Sequence, residues 1–167
     1  GAIGIEFASF YANMGAKVTV VEVLDRVLPV EDEEISAFAH KAFTRQGMTI
    51  MTSAKVQAVK KNGATATAIV EDAKGKVHEV TVEKVISAVG IVGNVEGIGL
   101  EGTKVKVEKT HVVTDGYGRT GEQGVYAIGD LTGPPWLAHK ASHEGVVCVE
   151  AIAGKNDVHP IDPTNIP

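Results

Sequence analysis

The chain has 167 residues, 44% of them hydrophobic, and a formal net charge of -5. That is ample apolar material for a packed core, and there is no basic surplus for a nucleic-acid partner. The longest nearly apolar run, residues 85–95, is far too short for a membrane span and is broken by glycine, and the first residues lack the charged-then-apolar pattern of a signal peptide. A single cysteine, Cys148, excludes an internal disulfide framework, and this cysteine usage fits a reducing compartment, with a cytoplasmic location expected; its VVCVEAI surroundings point to a buried helix position.

The first stretch, GAIGIEFASFYANMGAKVTVVEV, reads as a dinucleotide-binding fingerprint without its front. The full pattern runs strand, G-x-G-x-x-G, helix, second strand and an acid about 20 residues on. Gly1 and Gly4 match its second and third glycines, residues 4–14 carry apolar side chains at helical spacing, Gly15 stops the helix, 17–21 is a strand and Glu22 is the acid. Glycines let backbone approach a pyrophosphate, and the free N–H groups of the helix N-terminus attract it. Glu22 would accept hydrogen bonds from an adenosine ribose and repel a 2′-phosphate, selecting NAD over NADP; the alternative is a solvated carboxylate at a strand end. Glu6, one turn into the helix, is either beside the nicotinamide or an acid favoured only by the helix dipole.

A second helix is predicted over 31–47, opened by EDEE and carrying Ile35, Phe38, Ala39, Ala42 and Phe43 as an apolar stripe, and a strand follows at 48–52. Helix, strand, helix, strand is half of a doubly wound α/β unit. Past Ser53 the texture changes to three alternating strands, 55–61, 64–72 and 76–82, with hairpin turns at Asn62-Gly63 and 72–75: an antiparallel meander. Residues 83–90 read as an apolar strand returning to the parallel layer. Residues 91–102 are a glycine-rich connector with a short helical turn, and strand pieces follow at 104–107 and 111–115.

TGEQGVYAIGD, residues 120–130, contains a predicted strand at 125–128 that ends in Gly129-Asp130. A carboxylate then stands at the carboxyl end of a strand, where α/β sheets bind ligands. A helix is predicted over 137–153. Asp130 suits a sugar-like hydroxyl, and the N–H groups near 137–139 suit a phosphate or a flavin oxygen. His139 and His143 share a helix face, but the zinc-protease pattern needs Glu after the first His and Lys140 stands there, so no metal site is read. VHPIDPTNIP closes the chain as a proline-rich, extended linker.

Taken together, the opening stretch, VISAVG, TDGYGRT, GVYAIGD and GPPWLAHKASHEGVVCVE closely resemble the dihydrolipoamide dehydrogenase family of flavoprotein disulfide reductases, over essentially all 167 residues. LAHKAxxEG is the most characteristic phrase. The chain departs at GIVGN, where many members have G-R-x-P-N. The resemblance implies an α/β, Rossmann-like FAD/NAD(P)-binding fold with an antiparallel β-meander insertion, truncated at both ends. Residues 1–91 would be an NAD-binding domain lacking its first strand, 92–157 the returning segment of the FAD-binding domain, and 158–167 a linker toward an absent interface domain.

It further implies that Gly1, Gly4 and Glu22 hold the pyrophosphate and ribose of NAD, that Val56 lies by the adenine, that Gly90 contacts the cofactor and that Glu6 lies near the nicotinamide. Asp130, Trp136, Leu137, Ala138 and His139 would touch FAD. In the family, dihydrolipoamide on the acyltransferase component of 2-oxo acid dehydrogenase complexes reduces a disulfide, electrons pass to FAD, and a hydride leaves for NAD; the full-length enzyme is a homodimer. The disulfide and the His-Glu base would lie outside these residues, so no catalytic residue is expected among them. Two alternatives stand beside this reading. One is another flavin reductase, such as a relative of NADH oxidase or glutathione reductase, which should differ around LAHKA. The other is a free-standing NAD-binding module without catalysis.

Overall fold

The computed structural model describes residues 1–162; residues 163–167, the end of the expected linker, lie outside the described residues. The chain divides into two compact units, Gly1–Val89 and the residues from Gly90 onward.

In the first unit, α1 (Ala2–Asn13) buries Ile5 and Ala8, two positions of the predicted stripe. Strand β1 (Thr19–Val21) pairs in parallel with β2 (Thr49–Met51), Thr19 opposite Thr49, and α2 (Glu33–Arg45) forms the crossover between them. The acidic opening of α2 has a local cause: Asp32 caps the helix, its carboxylate accepting the Glu34 N–H at 2.8 Å, with Glu33 and Glu34 in the first turn and Arg45 in the last. The apolar stripe of α2 is covered in part, with Ala39, Ala42 and Phe43 half-buried. Ile35 and Phe38 are 55% and 71% exposed, and the helix buries Ser36, whose hydroxyl donates to the Leu28 carbonyl at 3.0 Å. An amphipathic helix buries its stripe only where a second layer covers it, and among the described residues none covers Ile35 and Phe38.

Strands β3 (Lys55–Asn62), β4 (Thr65–Glu71) and β5 (Val77–Val82) form the antiparallel meander in that order. Gly63 makes the first turn at φ 63°, and the Asp72 carboxylate organises the second by accepting the Lys74 and Lys76 N–H groups. The β3–β4 register shifts between Val56 and Ala58, a bulge that places Val56 opposite Val70. Val70 is fully buried at the centre of the meander. Val70→Ala is expected to lower the unfolding free energy by about 2 kcal/mol, measured by chemical denaturation; an unchanged midpoint would contradict the packing described here.

Residues 85–89 form no strand, contrary to the sequence expectation. Val85, Ile86 and Val89 are 47%, 45% and 95% exposed. An apolar run becomes a strand only when a neighbour pairs its N–H and C=O groups, and among the described residues none does. The same holds on one side of β1. The Val18 carbonyl and the Glu22 N–H bond to β2, so the alternate groups of Thr19 and Val21 point to the opposite edge. A cleft of about 540 Å³, walled by β1, α1, the meander and residues 82–89, lies along that edge.

The second unit is loop-rich. Residues 91–102 are turns without the predicted helical turn, and β6 (Val107–Glu108) and β7 (His111–Val112) make a two-residue antiparallel ladder, shorter than the sequence reading. Gly93 passes so close to Thr110 that an added Cβ would overlap the Thr110 carbonyl oxygen. Residues 125–128 are also not a strand: a single bridge joins Arg119 to Tyr126. A 3-10 turn at Gly129–Thr132 leads into α3 (Ala138–Ile152), which buries Lys140 and Cys148. Among the described residues no helix is long and apolar enough to cross a membrane.

Candidate functional site

The first unit gathers four of the sequence-selected residues around one cleft. Gly1, Gly4, Glu22 and Val56 all line it; Glu6 stands exposed on α1 and does not. Gly1 is the N-cap of α1, without a side-chain cap, and the first turn carries no acidic residue. The contrast with α2, whose leading N–H groups are satisfied by Asp32, is direct. The leading N–H groups of α1 are therefore free for an anion. An ideal Cβ at Gly4 would touch Ala88 at 3.5 Å.

Glu22 lies just beyond β1, its side chain 14% exposed. The segment after β1 is tied down where the Ala54 N–H donates to the Glu22 carbonyl at 3.0 Å and the Ser53 N–H to the Leu24 carbonyl at 2.7 Å. The Glu22 carboxylate accepts the Leu24 N–H at 3.1 Å and lies 2.9 Å from the Gly1 nitrogen. Burial pushes this carboxyl up, and the Leu24 and Val23 amides pull it down. A carboxylate and an uncapped helix N-terminus thus meet at one end of β1.

Arg26 takes no part in this arrangement. It lies 3.5 Å from both Asp25 and Glu33 and donates to the Pro29 carbonyl at 3.4 Å.

In the second unit Asp130 sits in the 3-10 turn, exposed, and its carboxylate makes no hydrogen bond among the described residues. Leu137 is the N-cap of α3, again with no side-chain cap hydrogen bond and no acid in the first turn. Ala138 and His139 open that helix. The Trp136 indole N–H donates to His111 Nε2 at 3.3 Å, and His111 Nδ1 lies 3.0 Å from the Lys109 carbonyl, which sets the neutral tautomer with the proton on Nδ1. Gly90, with φ 136°, begins this unit on an exposed loop. Cys148 is buried, as its surroundings suggested, and lies against Gly118.

Sequence reasoning missed three participants here. His111 reaches Trp136 across a long loop, a contact no local pattern carries. Lys140 and Glu144 form an i,i+4 ion pair of 3.1 Å that the spacing did offer, although nothing in it announces a buried lysine.

A parallel strand pair, a helix N-terminus without a cap and an acidic side chain lining one cleft in the first unit define a protein of the dinucleotide-binding kind. The model of the pyridine nucleotide-disulphide oxidoreductase family matches residues 1–145, and the chain belongs to that family. It is 57% identical over 167 residues to a dihydrolipoyl dehydrogenase of Rhizobium etli, covering all of this chain and 35% of that protein. It is 48% identical to one of Zymomonas mobilis, covering all of this chain and 36% of that protein. Among solved structures it is similar to LpdA of Mycobacterium tuberculosis, with a TM-score of 0.78 and 30% identity over 93% of this chain and 33% of that one. The HOCl-induced flavoprotein disulfide reductase RclA of Escherichia coli gives a TM-score of 0.81 and 25% identity over 93% of this chain and 35% of its own. The chain thus spans about a third of the length of the relatives it matches.

Proposed function

We propose that these residues are the cofactor-binding portion of a cytoplasmic, homodimeric dihydrolipoyl dehydrogenase, in which the first unit holds NAD and the second contacts FAD. The whole enzyme would oxidise dihydrolipoamide on the acyltransferase component of a 2-oxo acid dehydrogenase complex. Lipoamide, NADH and a proton would be the products. The observation that carries this reading is the 57% identity to a dihydrolipoyl dehydrogenase along the entire chain, and the uncapped N-terminus of α1 fits the NAD that such an enzyme needs.

In this reading the N–H groups at the start of α1 receive the NAD pyrophosphate, and Gly1 keeps the approach free of side chains. Glu22 accepts the ribose hydroxyls, Val56 offers an apolar wall to the adenine, Glu6 lies near the nicotinamide, and Gly90 contacts the cofactor. Asp130 accepts hydroxyls of the FAD ribityl chain, while the N–H groups near Leu137, Ala138 and His139 face flavin oxygens and Trp136 packs beside them. FAD supplies two-electron transfer between a disulfide and a nicotinamide. The described residues contribute binding and orientation; with Cys148 as their single sulfur nucleophile, they contribute no redox disulfide.

Asp130→Ala in the whole protein tests the flavin assignment. Because the side chain is exposed and bonds nothing in its own fold, its loss is expected to lower flavin content after purification while leaving the circular dichroism unchanged. Asp130→Asn, which keeps an acceptor oxygen, is expected to be milder. Flavin content equal to the parent's in Asp130→Ala would contradict the assignment.

A further inference from the structure

Lys140 is the only buried cation among the described residues, 5% exposed within α3. Its Nζ lies 3.1 Å from Glu144 Oε1 and donates to the Gly133 carbonyl at 3.1 Å and the Gly129 carbonyl at 3.4 Å. The other carboxylate oxygen of Glu144 accepts the Gly129 N–H at 2.6 Å. Both backbone polar groups of Gly129 are therefore fastened to one ion pair. Gly129 itself is at φ 75°, and an added Cβ would press on Ala141 at 3.1 Å, so the turn rests directly on the helix. The Thr132 hydroxyl gives the same carbonyl a further bond at 2.8 Å.

Lys140 is buried while Glu144 is 26% exposed, and such a pair is a weak source of stability, because desolvating the ammonium offsets much of the attraction. Exposed residues at the same spacing would serve α3 as well. What the burial achieves is local: the backbone is fixed at Gly129, immediately before Asp130, and at Gly133, just after the turn. Asp130, between these anchors, is left exposed with its carboxylate free.

We propose that Lys140 and Glu144 are positioning residues for the flavin. They hold the Gly129–Thr132 turn against α3 so that the Asp130 carboxylate is presented to the flavin in a fixed place. The proposal rests on the reading of Asp130 as a flavin ligand. It explains why a lysine is buried where a metal-site pattern would need an acid: its task is to donate to two carbonyls, which no carboxylate can do.

The test uses the whole flavoprotein, stripped of FAD and reconstituted, with two readouts: thermal unfolding of the apoprotein and the FAD dissociation constant from flavin fluorescence. Lys140→Met alone leaves Glu144 uncompensated, so the informative variant is Lys140→Met with Glu144→Gln. It buries no charge and keeps an acceptor for the Gly129 N–H but removes the donors to both carbonyls. Its apoprotein is expected to melt near the parent temperature while FAD binds about tenfold more weakly. Thr132→Ala, outside the ion pair, is expected to fold normally and weaken FAD about threefold. If Asp130→Ala weakens FAD while both of these variants bind it as tightly as the parent, the positioning role is overturned and the reading of Asp130 survives. If Asp130→Ala also binds FAD like the parent, both are overturned.

Discussion

Offered NAD and NADP in separate kinetic series, the whole protein is expected to use NAD with a specificity constant higher by about a hundredfold or more, corresponding to a few kcal/mol of discrimination. The cause is Glu22. Its carboxylate is 14% exposed and fixed by the Leu24 N–H, at the end of β1. A 2′-phosphate placed at this end of β1 would meet that charge and forfeit the ribose hydrogen bonds. The nearby Arg26 cannot compensate, since Asp25, Glu33 and the Pro29 carbonyl engage it. Glu22→Ser should narrow the ratio chiefly by raising KM for NAD. Equal specificity constants for the two cofactors in the parent would contradict the assignment.

The 167 residues expressed alone are expected to give no dihydrolipoamide-dependent NADH and to retain FAD poorly. Dihydrolipoamide must hand its electrons to a disulfide, and this chain has one cysteine, 5% exposed. Apolar surface also stands uncovered in the isolated chain, at Ile35 and Phe38 on α2 and at Val85, Ile86 and Val89. Each buried N–H or C=O left unpaired along β1 would cost roughly 1 to 3 kcal/mol. Spectrophotometry with dihydrolipoamide, NAD and added FAD checks this; sustained turnover by the chain alone would refute the division of labour proposed above.

The elements legible in the sequence are those whose cause is local. Helix α1 follows from apolar spacing and Gly15, α2 from Asp32 and the acids behind it, and the meander from alternation with turn residues at Gly63 and Asp72. What failed depends on partners distant in the chain. Residues 85–89 and 125–128 have strand composition, but a strand is completed by a neighbouring ladder, which composition does not carry. The exposure of Ile35 and Phe38 at one end of the α2 stripe has a similar cause, because a periodic pattern reports which face is apolar and not what covers it.

At the candidate site, Gly1, Gly4 and Glu22 were legible as a spaced motif, and the structure brings them to one cleft. Lys140 was read only as the residue that spoils a metal pattern. Its two carbonyl partners exist only once Gly129 has folded back onto α3.

The most direct test of the whole account is an anaerobic titration of the purified full-length protein with dihydrolipoamide, followed by NAD, while the flavin absorbance is recorded. The expected result is a yellow protein whose bound FAD responds to dihydrolipoamide and is reoxidised as NADH appears. A colourless protein, or a flavin that answers to NADPH and not to dihydrolipoamide, would contradict it.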